Sequence, residues 1–123
     1  MHILLTAVLM LATTSAWADW VQFATSDDTV YYLDPASIRK RGNLRRVWEL
    51  HDLKKRDSLG NLSYRALDEY DCDGERYRTL SLSMHSGPMA SGQLLRNNDE
   101  TSAWQHIPPN TIVEEALRLV CGQ

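Results

Sequence analysis

Arg76-Tyr77-Arg78-Thr79-Leu80-Ser81-Leu82-Ser83-Met84 alternates, with Leu80, Leu82 and Met84 on one side and Thr79, Ser81 and Ser83 on the other. Successive side chains of a strand point to opposite faces, so this run predicts a strand with one face on a core and the other toward water. Immediately upstream, residues 64–72 put Tyr64, Ala66, Tyr70 and Cys72 on one side and Arg65, Glu69 and Asp71 opposite. Asp73-Gly74 between the two runs is a hairpin signal. Working outward, further strands fit residues 20–24, 30–33 and 44–53, with a shorter one at 93–96. Asp34-Pro35-Ala36-Ser37 and Ser58-Leu59-Gly60-Asn61 read as turns between strands.

A helix fits only the last segment, residues 111–121. Pro108 and Pro109 precede it, Asn110 or Thr111 can cap it, Thr111 with Glu114 has capping-box spacing, and Gly122 stops it. Val113, Ala116, Leu117, Val120 and Cys121 recur at helical spacing, which places Cys121 on the stripe that faces the sheet. The expected architecture is α+β: one antiparallel sheet of about five to six strands, with a C-terminal helix on one face.

The N-terminus decides which part of the chain belongs to that fold. An apolar run over residues 3–11 is followed by Ala16-Trp17-Ala18, the pattern of a signal-peptide core and its cleavage site. The run is about half the ~20 residues a spanning helix needs, so no permanent membrane span is expected. With no cysteine near the cut, a lipid anchor has no attachment point. Residues 1–18 are thus expected as a leader and 19–123 as one domain, addressed to the periplasm first, with the cell surface or the medium as alternatives. In such an oxidising compartment the two cysteines, Cys72 and Cys121, read as one disulfide between sheet and helix. Closing a loop of about 50 residues stabilises a chain by about 4 kcal/mol in the chain-entropy picture.

Charge narrows the function. A formal net charge of -3 argues against nucleic acid as a partner. Locally the balance is different: Arg39, Lys40, Arg41, Arg45, Arg46, Lys54, Lys55 and Arg56 against Glu49 and Asp52 give residues 39–56 a charge of +6, and residues 57–75 carry -5. Adjacent strands would let much of this charge pair across the sheet. These eight basic residues read either as part of a solvated, mutually compensating surface or as a polyanion-binding patch, and they are the candidate binding surface. Tyr31 and Tyr32 join it, because adjacent strand residues must face opposite ways and one aromatic is then offered to a partner.

Catalytic and metal patterns are weak. His51, His85 and His106 are isolated in sequence, and His51 and Asp52 would point to opposite strand faces. Asp71, Asp73 and Glu75 around Gly74 lack the remaining spaced ligands of a calcium loop. No C-x-x-C accompanies the cysteines, so the reading includes no metal, no cofactor and no enzyme.

Several pieces together resemble a known family. Trp20-Val21-Gln22-Phe23, Tyr31-Tyr32-Leu33-Asp34-Pro35-Ala36-Ser37-Ile38, Val47-Trp48-Glu49-Leu50, Glu69-Tyr70-Asp71-Cys72, Arg76-Tyr77-Arg78, residues 89–92 and the terminal Cys121 resemble, in that order, the surface-adhesin protein E family of Gram-negative bacteria. The resemblance implies a sheet whose concave face holds the helix through the disulfide, often in a homodimer. It also implies protein partners of the matrix and serum class, such as laminin, vitronectin and plasminogen. The other expectation is a periplasmic accessory or inhibitor protein, docking to an envelope enzyme with residues 84–92 as the inserted loop.

Overall fold

The structure, a computed structural model, describes residues 2–3, 6–7 and 18–122. Most of the expected leader lies outside the described residues. Eight strands form one antiparallel sheet: β1 (Val21–Thr25), β2 (Thr29–Leu33), β3 (Arg39–Arg41), β4 (Leu44–Leu53), β5 (Ser63–Asp71), β6 (Arg76–His85), β7 (Leu94–Asn98) and β8 (Gln105–His106). Among the described residues a single α-helix, α1 (Ile112–Cys121), follows them. The main path runs β1-β2-β4-β5-β6-β7, six strands where about five to six were expected. The short β3 and β8 are additions to it, pairing with β4 and β6.

Those two additions share one cause. β4 is ten residues long and β2 covers only its second half, from Leu33↔Glu49 to Thr29↔Leu53. The chain then makes a 3-10 turn at Pro35–Ser37, where Asp34 Oδ1 accepts from the Ala36 N–H at 3.1 Å and the Ser37 hydroxyl accepts from the Trp48 N–H at 3.0 Å. It resumes as β3 along the first half of β4, from Arg39↔Arg46 to Arg41↔Leu44. β6 is flanked in the same way, by β7 over Leu82 to His85 and by β8 at Arg76 and Tyr77.

One face of the sheet is the helix face. There Leu33, Val47 and Tyr70 pack with Ile107, Ala116, Leu117 and Val120, and Phe23, Ile38, Tyr77, Val113 and Cys121 complete the core. Val47 and Val120 are wholly buried, each worth about 1.5–3 kcal/mol of apolar transfer. Cys72 and Cys121 form the disulfide, with Cα atoms 5.7 Å apart, and clamp the end of α1 to the β5–β6 turn. At the other end of α1, Thr111 Oγ1 accepts from the Glu114 N–H at 3.3 Å. The Glu114 carboxylate accepts from the Asn110 N–H at 3.2 Å, one residue before the donor a capping box would use.

The alternation read in β6 slips by one residue. Asp68 pairs with Thr79 and Leu67 with Ser81, so Leu80 is a bulge residue. Thr79 therefore faces the helix side together with Leu82, and its hydroxyl donates to Asp68 Oδ1 at 2.7 Å. In the β5–β6 turn the left-handed residue is Glu75, at φ 49°, and not Gly74. A Cβ at Gly74 would sit 2.6 Å from Asp71 Oδ2, so a larger residue there would have to displace that carboxylate.

Candidate functional site: an arginine patch on the open face

Strand register sorts the basic region into three groups. Arg39, Arg46, Glu69 and Arg78 follow one another across β3, β4, β5 and β6, and Arg41, Leu44, Asp71 and Arg76 form the next row. Both rows project from the face opposite the helix. Five guanidinium groups thus share one end of the open face with two carboxylates. Lys40 and Arg45, register partners of each other, lie on the helix side instead. Lys54, Lys55 and Arg56 follow the far end of β4, and the eight residues from Arg46 to Lys54 amount to about 26 Å of strand. The +6 of the sequence is therefore not one surface.

Within the patch, Glu69 is the organising residue. Its carboxylate is almost fully buried and accepts from Arg46 Nε at 2.7 Å and from Arg78 Nε and Nη2 at 2.9 and 2.6 Å. Burial alone would push this carboxyl up, but the Arg46 and Arg78 hydrogen bonds outweigh it and hold Glu69 below its ordinary value. Asp71 is also held low, first by the Gly74 N–H and then by Arg76, whose Nε lies 2.9 Å from Oδ2. Arg76 and Arg78 stack on the Trp104 ring at 4.5 and 4.3 Å from its centre. Arg39, Arg41 and Arg46 surround a shallow depression of about 170 Å³ with Leu44 and Glu69. Arg39 spends one nitrogen on the carbonyls of Ala36 and Ile38, at 3.0 and 3.1 Å.

Like charges directly across a strand pair cost stability. Here Arg39 faces Arg46 and Lys40 faces Arg45. Planar guanidinium groups held in rows, half exposed and stacked on an indole, are suited to carboxylate, sulfate or phosphate groups of a partner. Sequence reading named Arg39, Arg41 and Arg46 as binding residues but not Arg76 or Arg78. The alternation of Arg76-Tyr77-Arg78 showed that both arginines share a face, and only the β4–β5–β6 register shows which one.

The two tyrosines divide as expected. Tyr31 is on the helix side, its ring 4.8 Å from His51 and 6.3 Å from Phe23. Tyr32 is paired with Leu50 on the open side. His51 and Asp52 likewise part company, since Asp52 Oδ1 accepts from the Met89 N–H on the open side, at 2.9 Å. His85 contacts the Ser83 hydroxyl at 2.8 Å, and His106 sits exposed in β8. The three histidines therefore occupy three separate settings. Among the described residues, no group of three or more His, Cys, Asp or Glu is arranged to hold a metal ion, and no helix is long and apolar enough to cross a membrane.

A family model described as surface-adhesin protein E matches residues 20–122. The chain belongs to this family. Solved structures of Haemophilus influenzae protein E share its fold. One crystal form superposes with a TM-score of 0.67 at 14% identity, covering 94% of this chain and 97% of that one. A selenomethionine form gives 0.69 at 12% identity over 89% and 91% of the two chains. A structure from a non-typeable strain gives 0.63 at 13% identity over 89% and 79%. No curated protein matches the sequence. At such identities the likeness of adhesin E structures to this chain is one of fold, and the residues of the patch are read from this chain alone.

Proposed function

We propose that this surface-adhesin E family member is an exported, non-catalytic envelope protein, with its leader cut after Ala18, that docks acidic segments of a protein partner on the arginine patch. Where the mature chain is displayed at the surface, those partners are matrix and serum proteins. The carrying observation is the crowding of Arg39, Arg41, Arg46, Arg76 and Arg78 at one end of one face, with Arg39 placed opposite Arg46 across β3 and β4. A bound polyanion offsets that repulsion. Homodimerisation belongs to the same proposal, and β7, exposed along its length with Leu94 and Leu95 outward, is an edge to which a second copy can add.

Immobilised heparin and laminin provide the test. Binding at low ionic strength that weakens with added salt, and is lost in the Arg39→Glu/Arg41→Glu variant, supports the reading. Absence of binding at low salt removes it. Surface-protease accessibility on intact cells then separates display from periplasmic residence.

A second reading, docking to an envelope enzyme, is favoured by the loop after β6. Ser86 and Gln93 close it at 3.0 Å, Gly87 N–H donates to Ser91 O at 2.9 Å, and Ala90 N–H donates to the Ser63 hydroxyl at 2.9 Å. Met89 and Ala90 are consecutive non-glycine residues at φ 54° and 57°, so the loop is held in one strained shape as an inserted inhibitor loop would be. Inhibition of an envelope lysozyme or protease that disappears with Met89→Asp is its expected signature.

A further inference from the structure

The helix covers only part of its face of the sheet. Beyond the N-terminus of α1 the face opens into a cleft of about 680 Å³, within the range of small-ligand sites. Its walls are mainly apolar and aromatic, with Phe23, Tyr31, Tyr70 and Tyr77 from the sheet and Ile112 and Val113 from the helix. Two buried carboxyl groups, Glu49 and Asp68, line it from adjacent strands, 3% and 5% exposed. Tyr70 donates its phenol proton to Glu49 Oε1 at 2.5 Å, and Thr79 donates to Asp68 Oδ1 at 2.7 Å. Burial, and then the neighbouring Asp68, push the Glu49 carboxyl well above its ordinary value.

The polar lining is one-sided in charge. Neither Lys nor Arg reaches the cleft, and Glu100 on its rim adds a third carboxylate. The basic side chain present is His51, which burial holds below its ordinary value against the pull of Asp68. An anion would meet only like charge there. An uncharged apolar ligand would bury the two carboxyl groups further without offering either a donor. A compact cation on an aliphatic stem satisfies both features: its N–H groups meet the carboxyls and its stem and charge meet ring faces.

We propose that this cleft binds a primary alkylammonium group, with the nitrogen at Glu49 and Asp68 and the stem between Tyr31, Tyr77 and Val113. The group can come from a free amine or from a lysine side chain of a protein. The site lies on the opposite face of the sheet from the arginine patch and stands or falls separately from it.

The test is NMR titration of the disulfide-bonded protein with n-pentylammonium, 1,5-diaminopentane, acetyl-lysine methylamide and n-pentanol. The ammonium ligands are expected to shift the Glu49, Asp68 and Thr79 amides saturably, and pentanol to bind at least about tenfold more weakly. Asp68→Asn is expected to weaken ammonium binding about tenfold without changing pentanol binding, and Asp68→Ser serves the same end should the first variant misfold. Saturation by diaminopentane but not by acetyl-lysine methylamide assigns a free amine, whereas saturation by the lysine derivative assigns a protein side chain. Equal affinity for pentanol and pentylammonium, no saturable shift up to about 10 mM amine, or binding indifferent to both substitutions overturns the proposal.

Discussion

Glu49 and Glu69 occupy neighbouring strands on opposite faces, and their surroundings drive them in opposite directions. For Glu69, burial is outweighed by Arg46 and Arg78, so the folded value lies below the ordinary 4.5. That stabilisation is in place above the unfolded value and is lost as pH falls through the lower, folded one. Glu69→Gln is expected to cost about 2–3 kcal/mol at pH 7, less than a fully buried pair because Arg46 is half exposed, with the deficit shrinking on acidification. For Glu49, burial and then the neighbouring Asp68 raise the value well above 4.5. The folded protein keeps a proton that the unfolded chain gives up, so stability declines as pH rises from the unfolded value toward the folded one. Glu49→Gln keeps an acceptor for Tyr70 and removes that penalty. Its melting temperature is expected to exceed the parent's at pH 8 by about 4–8 °C per kcal/mol gained and to match it at pH 4. Thermal melts of the three proteins across pH check both signs. Asp57 behaves like Glu69, held to about 2 chiefly by the Tyr64 phenol with help from the Asn61 and Leu59 amides. In Tyr64→Phe an NMR titration is expected to find it moved up toward its ordinary value.

At the scale of elements, α1 rests on two anchors of different kinds. Thr111→Ala is expected to cost about 1 kcal/mol by urea denaturation, the usual loss for a helix cap. Replacing Cys72 and Cys121 by serine is expected to cost about 4 kcal/mol, because the bridge closes a separation of 49 residues. Both anchors were legible in the sequence, since cap chemistry is local and an exported pair of cysteines has one way to pair. The long strands were legible too, from their alternation. β3 was not: Arg39-Lys40-Arg41 carries no alternation and becomes a strand only because β2 leaves half of β4 unpaired. The bulge at Leu80 was hidden for the same reason, since a slip in register belongs to the pair of strands and not to either one. The composition of the arginine patch followed the register, so half of it was invisible until β4, β5 and β6 were aligned.

Across the sheet the molecule carries its guanidinium rows, with Glu69 and Asp71 set among them, on one face and the Glu49 and Asp68 carboxyls on the other. Location on that frame outweighs local charge. Arg39→Glu/Arg41→Glu is expected to abolish heparin retention, while Lys54→Glu/Lys55→Glu/Arg56→Glu, which reverses one more cation, leaves most of it; salt elution profiles compare the two. The sheet itself is a meander of neighbours, whereas α1 meets β1, β4 and β5, elements from much earlier in the chain. Hairpins can zip one after another at small entropic cost, but docking α1 on β1 spans nearly the entire chain, and the disulfide tethers the helix only to the β5–β6 turn. In rate terms, α1 is then the element added after the barrier. Leu117→Ala, worth about 2–4 kcal/mol, should accelerate unfolding about a hundredfold and leave refolding nearly unchanged in stopped-flow measurements. The cleft, walled by Ile112 and Val113 of that helix, is by this ordering the last part of the molecule to form and the first to be lost.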